Sequence, residues 1–275
     1  MVLYKSALDS IHRSLARSSL VTKAAILLRN QCRRIIACRL SEGPNAGKNG
    51  EDWLISLLAP SSVAFVDVGA NRGDWTQSFL EEASSASVKG LLFEPGTAAL
   101  DFLHQRFDSI KNIEIIDAAV ADYVGQASFF EEPNLGVTSS LISDWANRSA
   151  VEKKILVTKI ETELEKRGWE YLDFLKVDCE GYDFKVIEGS KTLIQNQKIG
   201  IIQFEYNSAW AFAGSTLIAA LSFLESCDYQ VFLLKSSGLY NFNYNIYGEF
   251  LEYSNFVAVS PKMKAIVDPY IHKSI

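Results

Sequence analysis

Carboxylates close apolar runs at five places in this chain, and two of those places also carry glycine turns. Asp67-x-Gly69-x-x-x-Gly73 ends the run that begins at Val63, and Asp178-Cys-Glu180-Gly181 ends the run that begins at Asp173. Glu94, Asp117 and Glu205 mark the other three. Ala70, Asn71 and Arg72 stand between the two glycines of the first turn. That spacing is neither the G-x-G-x-x-G of a dinucleotide corner nor a phosphate loop. Glycine there lets backbone approach a ligand where a Cβ would collide. The pattern suits a ligand that lacks a pyrophosphate and brings a cationic end to the nearby carboxylate, as S-adenosylmethionine does. The competing reading is a tight turn in which Asp67 is a local cap.

These groups act together only if the fold brings them to one edge. Residues 63–68, 88–94, 113–120, 173–178 and 199–205 read as buried strands, rich in β-branched and aromatic side chains. Helical patterns fall at 51–58, stopped by Pro60, at 98–107 with Leu100, Leu103 and Phe107 on one face, and at 184–195 and 219–224. This alternation implies a doubly wound, mostly parallel α/β sheet. Residues 229–234 and 256–259 close it, the last without a crossover helix before it and therefore antiparallel. Residues 121–170 break the rhythm, with strand-like 127–130 and 155–160, and should sit near the strand ends. Ligands of such a sheet bind beyond the carboxyl ends of its strands, where all five acidic groups would gather.

Each group then has a task. Glu94, roughly 20 residues past the glycine turn, can accept both ribose hydroxyls of adenosylmethionine. Asp117, or the backbone at Ala118, can meet the adenine amino group. Asp67, Gly69, Asn71 and Gly73 hold the methionine part. Asp178, Glu180 and Glu205 remain to orient and activate an acceptor hydroxyl. Asp178, Glu205 and Asn207 could also supply three oxygens to Mg²⁺ or another divalent cation. The plainer alternative has Asp178 bonding a substrate or ligand amine while Glu180-Gly181 caps the next helix. Lys176, at a buried strand position, needs a carboxylate partner. Thr138, Ser139 and Ser140 could bind substrate hydroxyls. Trp210, Phe212, Tyr240, Phe242, Tyr244 and Tyr247 could stack on a sugar ring, or simply pack. His104 falls within a helical pattern and reads as a surface or packing residue.

Four strings together carry a family resemblance: Asp67-Val-Gly-Ala-Asn-Arg-Gly73, Phe93-Glu-Pro95, Ala119-Val-Ala-Asp122 and Asp173-Phe-Leu-Lys-Val-Asp-Cys-Glu-Gly181. Over residues 60–260 the chain resembles the FkbM family of S-adenosylmethionine-dependent methyltransferases. The resemblance implies a Rossmann-like class I methyltransferase sheet, seven-stranded and mostly parallel with the last strand antiparallel. It also implies O-methylation of a hydroxyl on a sugar, a glycan or a related natural product. Two positions depart from the family pattern. Asp183 stands where Glu is usual, and Ile160-Glu-Thr-Glu163-Leu164 where Thr-Leu-Asp is usual. Two other readings stay open: N-methylation of another substrate class, and a non-catalytic binding protein of the same fold. The Asn/Asp-Pro-Pro-Tyr/Phe string of base amino methylation is absent at the fourth strand.

The 275 residues are 48% hydrophobic and 22% charged, enough for a full core. Residues 1–50 hold nine basic and two acidic groups, the remainder 18 and 31, so +7 and −13 make up the net −6. The acidic remainder disfavours nucleic acid as a partner. The expected organisation is a basic helical extension and linker at 1–50, with a loop over 41–50, and a catalytic domain at 51–275. The extension reads as a helical cap on the body or on a second subunit of a homo-oligomer. That is preferred over weak peripheral contact with a membrane, because few large apolar side chains face one way. No apolar run reaches transmembrane length or makes a signal-peptide core. Cys32, Cys38, Cys179 and Cys227 lack metal-site spacing and read as free thiols of a cytoplasmic protein.

Overall fold

Two units make up the computed structural model, Met1–Leu40 and Ser41–Ile275. It describes residues 2–84, 87–133, 139–273 and 275, with side chains from residue 8 onward. The first unit holds the helices Val2–Ala16 and Ser19–Leu40, the second entered through Ser18, whose hydroxyl accepts the Val21 amide at 3.4 Å. Residues 41–50, expected as a linker, belong with the second unit. Asn45 caps a short helix, Ala46–Asn49, and the Glu42 carboxylate accepts the Ser236 amide at 2.6 Å.

The second unit carries β1 (Ala64–Val68), β2 (Lys89–Phe93), β3 (Ile113–Ile116), β4 (Ala119–Val120), β5 (Gly125–Glu131), β6 (Val151–Thr158), β7 (Leu172–Val177), β8 (Ile199–Tyr206), β9 (Gln230–Lys235), β10 (Gly238–Asn241), β11 (Ser254–Val259) and β12 (Ile271–His272). The large sheet runs β12-β10-β9-β11-β8-β7-β1-β2-β3. Strands β3, β2, β1, β7 and β8 are parallel, and β11 inserts antiparallel between β8 and β9. From β3 to β9 this is the expected seven-stranded sheet with its antiparallel last strand. Strands β10 and β12 widen it to nine. The added hairpin turns through Ser236 and Ser237, which carry no Asn-Gly or Asp-Gly signal.

Strands β1 and β8 are buried along their whole length, as a parallel sheet covered on both faces requires. Leu54, Ile55 and Leu58 of the helix Glu51–Leu58, Phe79 of Asp74–Glu82, and Leu103 and Phe107 of Thr97–Phe107 pack on Phe65, Leu92 and Phe174. The run expected as one strand at 113–120 breaks at Asp117. There β3 leaves the large sheet and β4 opens a separate sheet, β4-β6-β5. The helix expected at 184–195 is two, Asp183–Gly189 and Lys191–Gln195, divided at Ser190, whose hydroxyl donates back to the Val186 carbonyl at 2.9 Å.

Register decides the rest. Val68 pairs with Phe93 and Val177, Phe93 with Ile116, and Val177 with Phe204. The next residue along each strand therefore falls in one row: Gly69, Glu94, Asp117, Asp178 and Glu205.

Candidate active site

Four members of that row, all but Asp117, line a cavity of about 910 Å³. That volume accommodates a cofactor and an acceptor together. Asp67 lies two residues deeper in β1 than the row, opposite Leu92 and Lys176. It is fully buried; Oδ2 accepts the Thr76 hydroxyl at 2.7 Å and Oδ1 stands 3.4 Å from the Lys176 ammonium. Expected as a ligand contact, it instead ties its strand to the following helix from behind the cavity wall. Asp117 is in the row but exposed at the sheet's edge and outside the lining, whereas its neighbour Ala118 is buried and lines the cavity.

Each glycine of the corner also makes room for a neighbouring segment. Gly69 has φ +76°, and a Cβ there would overlap the Asp178 carbonyl oxygen. Its role is to let the corners of β1 and β7 pass closely. Gly73, at φ +78°, would place a Cβ 2.9 Å from Leu103, so it seats the helix Thr97–Phe107 and does not line the cavity. Between them Asn71 takes a left-handed φ of +48°, unusual outside glycine. Of the five described non-glycine residues with positive φ, Asn71, Glu180 and Leu251 all line this cavity. Strained backbone of this kind concentrates at functional sites.

Glu94 is the anchor of the corner. Its Oε2 accepts the Asn71 amide at 2.8 Å and Oε1 the Gly96 amide at 2.7 Å. Burial outweighs both bonds and pushes its pKa up to about 7. A carboxylate has acceptor capacity beyond two bonds, so Glu94 can still receive ribose hydroxyls. Asn71 Oδ1 is a buried acceptor without a hydrogen-bond partner among the described residues. Together they fit adenosylmethionine, which brings hydroxyl and ammonium donors.

Asp178, Glu180 and Glu205 converge, one carboxylate oxygen of each lying within 4.8 Å of the others. Trp145 Nε1 donates to Glu180 Oε2 at 3.1 Å, and the Ser140 hydroxyl to the Glu180 carbonyl at 2.9 Å. Burial, then the Asp178 charge, pushes Glu180 up to about 8; burial and the charges of Asp178 and Glu180 raise Glu205 well above the carboxylate range. Asp183 lies beneath, accepting the Gly181 amide at 3.2 Å, and burial pushes it up to about 7. Lys176 is buried 3.3 Å from Asp178, the carboxylate partner its strand position demanded.

Asn207 lines the cavity and is held from both ends of its amide. Its Oδ1 accepts the Ala209 amide at 2.7 Å, which turns Nδ2 toward Glu205 Oε1 at 2.5 Å. Glu180 stands with Asp178 and Glu205 in the set of carboxylate oxygens a cation would meet. Of the Ser/Thr trio, Ser139 and Ser140 line the cavity, and Thr138 lies outside the described residues. None of the six aromatic candidates lines the cavity among the described residues. Trp210 is buried against Phe204 and Tyr206, Tyr240 stacks on His272, and Phe242 stacks on Tyr247. His104 is a surface residue paired with Asp108 at 2.8 Å.

Sequence reasoning missed Glu51, Trp145 and Tyr253, all of which line the cavity. Glu51 had a visible signal, since it shares the apolar face of its helix with Leu54, Ile55 and Leu58. Burial raises its pKa, and Asn49 and Gln203 hold its two oxygens at 3.0 and 2.6 Å. Trp145 and Tyr253 arrive from irregular segments with no local pattern to mark them.

The strand order, the glycine corner and the acidic row are those of a Rossmann-like S-adenosylmethionine-dependent methyltransferase. The family model described as the methyltransferase FkbM domain matches residues 67–231. This chain belongs to the FkbM methyltransferase family. A curated methyltransferase of Sordaria araneosa is 26% identical over 160 residues, 47% of this chain and 61% of that protein, so the match spans less than two thirds of the relative. An FkbM methyltransferase structure from Methylobacillus flagellatus has a TM-score of 0.45 at 14% identity, covering 71% of this chain and 43% of that one. A putative methyltransferase from Streptococcus mutans, in complex with SAH, has a TM-score of 0.43 at 12% identity, covering 77% and 98%.

Proposed function

We propose that this protein transfers the methyl group of S-adenosylmethionine to a hydroxyl of a sugar, a glycan or a related natural product. The observation that carries the reading is the convergence of Asp178, Glu180 and Glu205 in the cavity that also holds the glycine corner and Glu94. The bound sulfonium supplies an electrophilic methyl group. Glu94 accepts ribose hydroxyls, Ala118 bounds the adenine, and Asn71 Oδ1 receives the methionine ammonium. Glu180, positioned by Trp145 and Ser140, takes the proton from the acceptor hydroxyl as its oxygen bonds to carbon. A carboxyl raised to about 8 is better matched to a weakly acidic alcohol than an ordinary one. Glu205, whose pKa burial and the neighbouring carboxylates raise, hydrogen-bonds a second acceptor oxygen and fixes it. Carboxyl groups crowd the cavity wall, which suits a polyhydroxyl acceptor whose hydroxyls they can hydrogen-bond.

The same three carboxylates support a second reading, in which they hold a divalent cation that lowers the hydroxyl's pKa. The test of the main proposal is labelled-methyl transfer from adenosylmethionine to a panel of sugars and hydroxylated natural products. Transfer confined to amine acceptors, or calorimetry showing no cofactor binding, would overturn it.

A further inference from the structure

The methyl-transfer chemistry leaves the helix Ser19–Leu40 without a task. At 3.6 residues per turn, Leu20, Ala24, Leu27, Leu28 and Ile35 fall on one face with Gln31 among them, widened on one side by Val21, Cys32 and Ile36. Lys23 and Arg34 run along one edge of that face, and Arg29 and Arg33 occupy the opposite one, with Ile26 among them as an exception. On the apolar face, Leu20, Leu27, Leu28 and Ile35 are 76%, 65%, 66% and 71% exposed. In the preceding helix Leu8, Ile11 and Leu15 repeat at helical spacing and are exposed too.

The charge around these side chains has one sign. Residues 10–40 contain seven Lys or Arg and no Asp or Glu. A seam between two copies of this helix would find no acidic side chain in residues 10–40 to meet these cations, whereas helical seams use opposite charges at their flanks. An apolar face with a basic rim matches an anionic bilayer, whose acyl boundary takes the aliphatic side chains while its headgroups meet the cations. No helix among the described residues is long and apolar enough to cross a membrane, so this one would lie in the interface.

We infer that Ser19–Leu40 docks flat on an anionic lipid surface and tethers the methyltransferase unit to it. The test is co-sedimentation of the full chain with phosphatidylcholine vesicles, with and without phosphatidylserine. The chain should bind the anionic vesicles, ignore the neutral ones and release as salt is raised. Leu27→Glu with Ile35→Glu should abolish binding. Lys23→Gln with Arg34→Gln should weaken it roughly 25-fold, about fivefold for each cation. Unchanged thermal unfolding of both variants shows that their fold is intact. Failure to bind anionic vesicles overturns the inference, as does binding that survives the two glutamates. A chain that ignores vesicles but forms a dimer dissolved by those glutamates overturns it too, and assigns the face to a second copy.

Discussion

The Asn71 amide donates to Glu94 Oε2 at 2.8 Å, so the turn after β1 and the end of β2 form one ligand-facing unit. Glu94→Ala should therefore both unmake the corner and remove the ribose acceptor. Calorimetry should show adenosylmethionine affinity at least about tenfold weaker, the loss of one or two charge-assisted hydrogen bonds.

The same residue predicts a pH dependence. Glu94 titrates at about 7 in the folded chain against an ordinary 4.5. Above that pH it is ionised and accepts hydroxyls fully; below it, a proton occupies one oxygen. The cofactor Kd should be level above about pH 8 and rise as pH falls through 7. A wild-type profile that is flat from pH 6 to 8 would refute the assignment. The linkage for folding has the opposite sense. A raised acid pKa means the native state binds its proton more tightly, so this group's contribution to stability declines from pH 4.5 to about 7.

Glu180→Gln should lower kcat by about 10²–10³-fold while leaving cofactor affinity intact, the usual worth of a positioned base. The wild-type kcat should climb with pH toward a midpoint near 8, because the base must be ionised to act. Steady-state kinetics on any accepted hydroxyl reads both, and an unchanged kcat removes Glu180 from the mechanism.

Lys176 neutralises Asp67 and Asp178 at 3.4 and 3.3 Å. Lys176→Met leaves both carboxylates without their shared counter-charge and should cost about 2 kcal/mol in urea unfolding, below the ~3–5 of a fully buried pair because Asp178 is part-exposed. Adding Asp67→Asn should recover part of the loss. Two additive costs would mean the residues are not coupled.

Chelation distinguishes the two uses of the carboxylate cluster. With Glu180 as base, EDTA-treated protein should retain its turnover. Loss of turnover restored by Mg²⁺ or Mn²⁺ would instead favour a bound cation ligated by Asp178, Glu180 and Glu205.

Much of this site was legible because strands and glycine turns leave local marks. The runs before Gly69, Glu94, Asp178 and Glu205 are buried strands, and those four residues do meet at one cavity. Asp67 looked equivalent to them in the sequence, since it too closes an apolar run. A strand rises about 3.3 Å per residue, so two positions of register are enough to bury it beneath the site. The partners of Asn207 were equally invisible: its amide oxygen accepts the Ala209 amide and its nitrogen donates to Glu205.

The sequence by itself determined the element order, the glycine corner, the family and the supply of carboxylates, because periodicity and short motifs are properties of neighbouring residues. Tertiary structure alone decided which carboxylates share a cavity, which partner each keeps, and that Glu51, Trp145 and Tyr253 join them. Those facts depend on strand register and on burial between segments far apart in the chain. Burial also shifts Glu94, Glu180 and Glu205 away from ordinary carboxylates, a change of chemistry that residue type cannot carry.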